Sequence, residues 1–479
     1  MTRRTIAVAA GMLLASGLCV YGIGGHGPLA AAAVALHEPV VYAAEAPANP
    51  APTIWPQAAH SPAAEAVTLQ HGAALAAIGD CAVCHTANRG APFAGGRPLA
   101  TPFGTIYSTN ITPDRDTGIG AWSLDAFSRA MRQGVSRDGH LLYPAFPYPH
   151  FTHMSDADIA AVYAFLMSRD PVHATAPAND LMFPLGFRPL IAAWNLLFLH
   201  PGVEAGGTTT TSTATETATR DTPADALQRG HYLVDGPAHC AACHTPLNLL
   251  GAEKGNAAFT GAVIEGWQAP PLTTLLNAPK PWTRDQLIAY LHGGFATDHG
   301  AAAGPMRPVT QSLANAPERD VEAITDYLLS LQTSASAAPR AAAQTTASGA
   351  AQQAPAEPAI NTASLDTAPL RTGATLFEGA CAQCHATHAP MTTIGERPSL
   401  ALSTDLNADS PRNALRAILG GIPPQPGTSG PAMPAFGTVF SDAQIADLAA
   451  FLRANFSRAP AWTVQEADVA KLRKETSEP

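Results

Sequence analysis

Apolar residues recur at helical spacing in three stretches built on one plan. Residues 155–167 read SDADIAAVYAFLM, residues 317–329 PERDVEAITDYLL, and residues 441–453 SDAQIADLAAFLR. Each opens on Ser or Pro, continues through acidic residues, and then repeats apolar positions three and four apart, as an amphipathic helix with an acidic first turn does. Ser441 with Gln444 has the spacing of a capping box, and Ser155 with Asp158 a looser one. Ten residues past each start stands an aromatic: Phe165, Tyr327 and Phe451. Upstream, each block has another helical segment carrying a glycine: Gly72, Gly230 and Gly373. A glycine on one helix and a ring on the other suit two helices that cross closely, because the missing side chain lets the ring pack on backbone. Two blocks share a further helix, starting at Trp122-Ser123 and Trp282-Thr283 and running to Gly134 and Gly294. The third block has only residues 413–420 in that place. Few runs alternate in the manner of strands, so the expected fold class is all-α.

At 479 residues the chain is too long for one core. Residues 203–224, rich in Thr and Ala, and 333–369, rich in Ala, Thr, Gln and Pro, cannot bury a core and read as linkers, as does the Pro-rich stretch 44–62. The expected division is a leader over residues 1–43 and three domains over residues 66–202, 225–332 and 371–458. In the leader, Arg3 and Arg4 precede an apolar run over residues 6–23. That run fits a cleaved export signal, with a possible site at Val41-Tyr42-Ala43, or a retained membrane anchor. Residues 185–199 (LGFRPLIAAWNLLFL) are apolar but broken by Pro189 and Asn195. They are too short to span a bilayer and should pack between the first two domains or on a partner, with shallow membrane contact as the alternative. The net charge of −10 argues against a nucleic-acid partner, which would want a basic face.

The cysteines change the picture most. Cys19 lies in the leader, and the other six form CAVCH, CAACH and CAQCH, with none left over. Cys-x-x-Cys-His is the attachment signature of c-type haem: two thiols bond the porphyrin vinyls and the histidine ligates the iron. Zinc knuckles come in pairs, so three leave one over. A thioredoxin-like pair needs a βαβ setting and explains no histidine, and a disulfide framework would not repeat one spacing three times. Three covalent haems follow, on Cys81 and Cys84, Cys240 and Cys243, Cys381 and Cys384, with His85, His244 and His385 as proximal ligands.

A His/Met haem carries electrons and leaves no open position, so each block should supply a methionine from the loop before its closing helix. Met433 (PAMP) and Met306 (GPM) fill that place in blocks three and two, whereas Met391 is too near His385 to reach round. In block one the corresponding stretch is YPAFPYPHFTHMS, with Phe146 where block three has Met433. Met154 is the first candidate there, although it also suits packing against Ile159 as a helix staple. His150, His153, Met131 and an open site are the alternatives; Met131 matches Leu291 in position and so reads as core.

With STNITPD (108–114), LYPAFPYPHF, AHCAACHTP and GPAMPAFG, the sequence resembles the three-haem cytochrome c subunits of membrane-bound periplasmic dehydrogenases from about residue 67 to 474. The resemblance implies three tandem class I cytochrome c domains and a non-catalytic electron-transfer subunit on the periplasmic face of the inner membrane. Its partner would be a large dehydrogenase subunit, and ubiquinone or a terminal oxidase its acceptor. In the subunits of quinoprotein alcohol dehydrogenases the first loop typically reads PAMPYP. Phe146, AAAGPMRPVTQSL and the PAW tail (460–462) look more like the subunits that serve molybdopterin hydroxylases of aldehydes or N-heterocycles such as nicotinate and isoquinoline. A peroxidase-like enzyme with an open first haem and an oxidase-complex subunit are the rival readings. Denatured protein from a host able to attach haem is expected to retain three haems per chain, and fewer would refute the count.

Overall fold

The computed structural model describes residues 62–203, 222–332, 366–386, 389, 399–424 and 432–477. The leader, the interiors of both long linkers, and Met391 lie outside the described residues.

The first repeat opens with α1 (Pro62–Ile78), makes one turn over Cys81–Cys84, and forms a hairpin of β1 (Pro98–Thr101) and β2 (Gly104–Tyr107). Then come α2 (Leu124–Gln133), α3 (Asp156–Met167), the short β3 (Asp180–Leu181) and α4 (Leu190–Phe198). The second repeat follows the same order: α5 (Pro223–Asp235), a hairpin of β4 (Ala262–Ile264) and β5 (Trp267–Ala269), and α6 (Arg284–Gly293). It continues through a hairpin of β6 (Phe295–Ala296) and β7 (Gly300–Ala301), then α7 (Met306–Leu313) and α8 (Glu318–Ser330). The third has α9 (Ala368–Ala380), α10 (Arg412–Gly420), α11 (Asp442–Phe456) and α12 (Glu466–Ser477). Helices dominate, as expected, but the hairpins were not foreseen. With two to four residues per strand they are too short to display alternation.

Local chemistry sets the helix ends. Ser123 and Thr283 accept from the amides of Ala126 and Gln286 to start α2 and α6, and both helices stop at a left-handed glycine, Gly134 (φ 63°) and Gly294 (φ 71°). In each repeat the opening helix crosses the closing one at the foreseen glycine. A Cβ on Gly72 would lie 2.0 Å from the Ala161 carbonyl oxygen and 2.9 Å from the Cβ of Phe165. On Gly230 it would lie 2.0 Å from Ala323 O and 2.8 Å from the Cβ of Tyr327; on Gly373, 2.3 Å from Asp447 O and 2.5 Å from the Cβ of Phe451. Backbone meets backbone at all three crossings.

The first two repeats are not beads on a string. Side chains from Leu75 to Leu328 form one continuous hydrophobic core, while the third repeat has its own. Polar groups seal the joint. Asp158, fully buried near the start of α3, accepts a hydrogen bond from the Tyr232 hydroxyl and lies 2.6 Å from His71 Nε2. The Ser155 amide donates to the Tyr232 oxygen at 3.0 Å. The looser capping box of block one is therefore completed by a residue of block two, whereas Ser441 and Gln444 close theirs within one helix.

The third core runs past residue 458. Arg453, only 2 % exposed, donates to the carbonyls of Leu406, Ala408 and Pro460 and lies 4.5 Å from the Trp462 ring, while Val469 and Leu472 of α12 are buried. The apolar segment after residue 185 does pack on both of the first two repeats: Asn195 accepts from the Tyr148 hydroxyl at 2.6 Å, and the Trp194 indole donates to Leu250 O at 2.9 Å. Its outer side leaves Phe187, Leu196 and Leu197 exposed, as is Phe183 just ahead of it. No helix among the described residues is long and apolar enough to cross a membrane.

Gly230→Val is expected to destabilise the protein by about 1–3 kcal/mol or more, since the new side chain must push α5 off α8. Denaturant unfolding of the haem-loaded protein checks this, and an unchanged midpoint would contradict the close crossing.

Candidate cofactor sites

Each opening helix ends just before its motif, and in the first two repeats the residue ahead of the first cysteine is left-handed: Asp80 (φ 51°) and His239 (φ 38°). The motif then forms one helical turn. His85, His244 and His385 donate their amides to the carbonyls of Cys81, Cys240 and Cys381 at 2.9, 3.0 and 2.9 Å. A turn of helix puts positions i, i+3 and i+4 on one face, so two thiols and an imidazole look the same way. All six cysteines are free thiols, partly exposed. Among the described residues no three His, Cys, Asp or Glu side chains converge as a metal-binding cluster. Burial pushes Cys81, Cys240 and Cys243 up to about 12, and Cys84 and Cys381 to about 11. Such thiols carry no thiolate character at neutral pH, unlike a redox-active pair.

The histidines are oriented from behind. His85 Nδ1 donates to Thr109 O at 2.6 Å, and His244 Nδ1 to Pro270 O at 2.7 Å. Each bond fixes the tautomer and leaves Nε2 as the ligating atom. Burial holds both rings below their ordinary pKa, in the neutral form that a metal requires. The loops carrying these acceptors match atom for atom. Thr86 and Thr245, next after the histidines, accept from the amides of Phe93 and Phe259, which are both left-handed. Gly95 and Gly261 donate back to His85 O and His244 O at 2.7 and 2.8 Å. Sequence reasoning missed Thr109, Pro270 and the two threonines, yet the shared CHT tripeptide was a visible signal. Of the loop after His385, only Ala386, Ala389 and residues from 399 onward are described.

The methionines divide into two sorts. Met306, first residue of α7, and Met433, whose backbone pairs with Ile422, are half-buried at the edges of their cores. Met154 is 1 % exposed and Met131 5 %, both within the joint core with Ile159, and Phe146 packs against that core 5.4 Å from the Phe151 ring. Met131 and Leu291 are equally buried on equivalent helices. His150 is committed elsewhere: Nδ1 donates to Asp235 O at 3.0 Å and Nε2 to Glu253 at 2.6 Å. Burial opposes its charge, but Glu253 and Asp235 outweigh that and hold its pKa above the ordinary value, so neither nitrogen offers a lone pair. His153 Nδ1 donates to Gly202 O at 2.9 Å.

Two thiols and a backed, neutral imidazole on one face of a turn fit covalent haem, and such a turn closing the first of two crossed helices defines a c-type cytochrome. A family model described as Cytochrome c matches residues 69–170 and 227–332, and one described as Cytochrome C oxidase, cbb3-type, subunit III matches residues 368–452. The chain is 34% identical over 424 residues to the fructose dehydrogenase cytochrome subunit of Gluconobacter japonicus, covering 86% of this chain and 83% of that protein. It is 34% identical over 440 residues to the cytochrome c subunit of the quinone alcohol dehydrogenase of Gluconobacter oxydans, covering 87% and 84%. With a nicotinate dehydrogenase subunit of Pseudomonas putida it shares 45% over 413 residues, 85% of this chain but only 32% of that longer protein. The chain belongs to the cytochrome c subunits of dehydrogenases: it is an electron-transfer subunit with covalent haem c.

One buried group beside the first turn makes a pH prediction. The Asp80 carboxyl is pushed to about 7, chiefly by burial, with the Ser312 hydroxyl and Arg97 pulling the other way, and its Oδ1 has no hydrogen-bond partner. The folded chain therefore binds this proton more tightly than the unfolded chain, whose Asp titrates near 3.8. The resulting stability is present below the unfolded value and is lost as pH rises through about 7. Asp80→Asn should flatten that part of the stability–pH curve, read by denaturant unfolding across the range.

Proposed function

We propose that the chain is a three-haem electron relay, with one class I cytochrome c fold in each of residues 66–202, 225–332 and 371–458, the third completed by the tail through α12. The observation that carries this is the same Cys-x-x-Cys-His turn occurring three times and using every cysteine outside the leader. Cys81 and Cys84, Cys240 and Cys243, and Cys381 and Cys384 hold the porphyrins. His85, His244 and His385 are the proximal ligands, and Met154, Met306 and Met433 the sixth. When bound, such groups supply one-electron chemistry at a potential raised by thioether ligation. The protein's part is to fix the imidazoles, exclude water and keep both axial positions filled.

Electrons would enter from a large dehydrogenase subunit and leave to ubiquinone or a terminal oxidase, at the periplasmic face of the inner membrane after export. A molybdopterin hydroxylase is favoured as the partner over a quinoprotein, on the name and 45% identity of the nicotinate dehydrogenase relative and on Phe146. The uncovered apolar side of the segment with Phe183 and Leu196, 98 % and 86 % exposed, supports membrane association. A second reading, an open first haem that binds a small ligand, draws on the same Phe146, on the commitment of both His150 nitrogens, and on the enclosure of Met154.

Carbon monoxide separates the two. The reduced, fully loaded protein is expected to bind none, and Met154→Leu, which keeps the staple but removes the thioether, to bind one equivalent. Stoichiometric binding by the unaltered protein would overturn the pure relay. A Met154→Leu protein that stays low-spin with unchanged potentials would remove Met154 from the ligand set.

A further inference from the structure

The third repeat reaches across to the β4–β5 hairpin of the second. The amide of Gln268 on β5 donates to Asn413 Oδ1 at 2.8 Å, and Asn413 Nδ2 donates to Gln268 O at 2.9 Å, so this α10 side chain pairs with the strand as a neighbouring strand would. Arg412 donates to Gly266 O at 2.9 Å and Arg416 to Glu265 O at 3.1 Å, capturing the hairpin turn. The buried Arg416 guanidinium also lies 5.4 Å from the centre of the Trp267 ring. Trp267 is held between that cation and the backbone of Gly304, where φ is +54° and a Cβ would lie 2.5 Å from the ring. Gly304 stands two residues before Met306, and Arg307, just after it, donates to Pro424 O of the third repeat at 2.7 Å.

The other end of the same hairpin serves the opposite side of the site. Pro270, which follows directly on β5, supplies the carbonyl that orients His244. One short hairpin thus touches the settings of both His244 and Met306, and the third repeat grips it at the strand, at the turn and at the tryptophan. The first repeat does not share this arrangement: β1–β2 pairs with β3 of its own repeat, at Gly104↔Leu181.

We propose that the third repeat, through Arg412, Asn413 and Arg416, is a clamp on the second haem site, with Trp267 as the positioning residue that keeps Met306 in its ligating place. This rests on the reading of His244 and Met306 as axial ligands. Neither Trp267 nor Asn413 ligates the iron. They act by fixing backbone on either side of the thioether and behind the imidazole, so that weakening the grip loosens a ligand in another repeat.

The test uses the full-length, haem-loaded chain and reads the far-red thioether-to-iron absorption of the ferric protein, the midpoint potentials, and carbon monoxide binding after reduction. Met306→Leu identifies the second haem by loss of its thioether absorption, a lowered potential and uptake of one equivalent of carbon monoxide. Trp267→Leu and Asn413→Ala should each shift the same haem in the same directions while the third keeps its spectrum. Trp267→Phe, which restores a ring against Gly304, should recover most of the loss. If Met306→Leu changes nothing, the ligand reading falls and the clamp with it. If Met306→Leu behaves as expected but Trp267→Leu and Asn413→Ala leave the second haem unaltered, the clamp alone is overturned.

Discussion

Everything in this molecule depends on two helices approaching until their backbones touch. At Gly72, Gly230 and Gly373 the opening helix has no side chain to hold the closing helix away, and a carbonyl of the partner sits where a Cβ would be. That contact sets how the opening helix lies on the closing one, and so where its end, from which the thiol-bearing turn begins, is placed. It places equally the start of the closing helix and the loop leading into it, where the proposed sixth ligands lie. A wider crossing would move the two sides of a cofactor site apart. The glycines are therefore part of the site, although each stands eight to ten residues ahead of its first cysteine.

The first two repeats elaborate this frame in the same way, down to single hydrogen bonds. A threonine after the histidine, a left-handed phenylalanine and a glycine folding back on the histidine carbonyl all recur. Their purpose is orientation: an imidazole free to rotate would place its lone pair poorly, and the carbonyls of Thr109 and Pro270 prevent that. The third repeat has a longer tail, anchored by Arg453 and Trp462. It also turns a face of α10 outward to hold its neighbour.

Much of this was legible in the sequence. The Cys-x-x-Cys-His turns, the glycine and aromatic of each crossing, the serine and threonine caps, and the core role of Met131 all follow from spacing and residue type. Local periodicity says nothing of what faces what between repeats. Asp158 reads as an ordinary acidic residue in a first turn, and only the structure reveals it buried under Tyr232. His150 and His153 read as alternative ligands, yet His150 bridges two repeats through Glu253 and Asp235. The hairpins escaped because strands of so few residues cannot show a period, and the tail past residue 458 because its anchor is an arginine, a residue seldom expected in a core.

The joint between the first two repeats also has a direction in time. At the first turn of α3 the Ser155 amide and the Asp158 carboxylate both bond to Tyr232, a residue of the second repeat. A chain made from its N-terminus produces the whole first repeat before that tyrosine exists. Until then Ser155 Oγ and His71 of the first repeat already hold Asp158, and only the Tyr232 share of the seal is missing. The order of synthesis thus leaves one corner of the first repeat, the start of α3, to be finished by a later stretch of the chain.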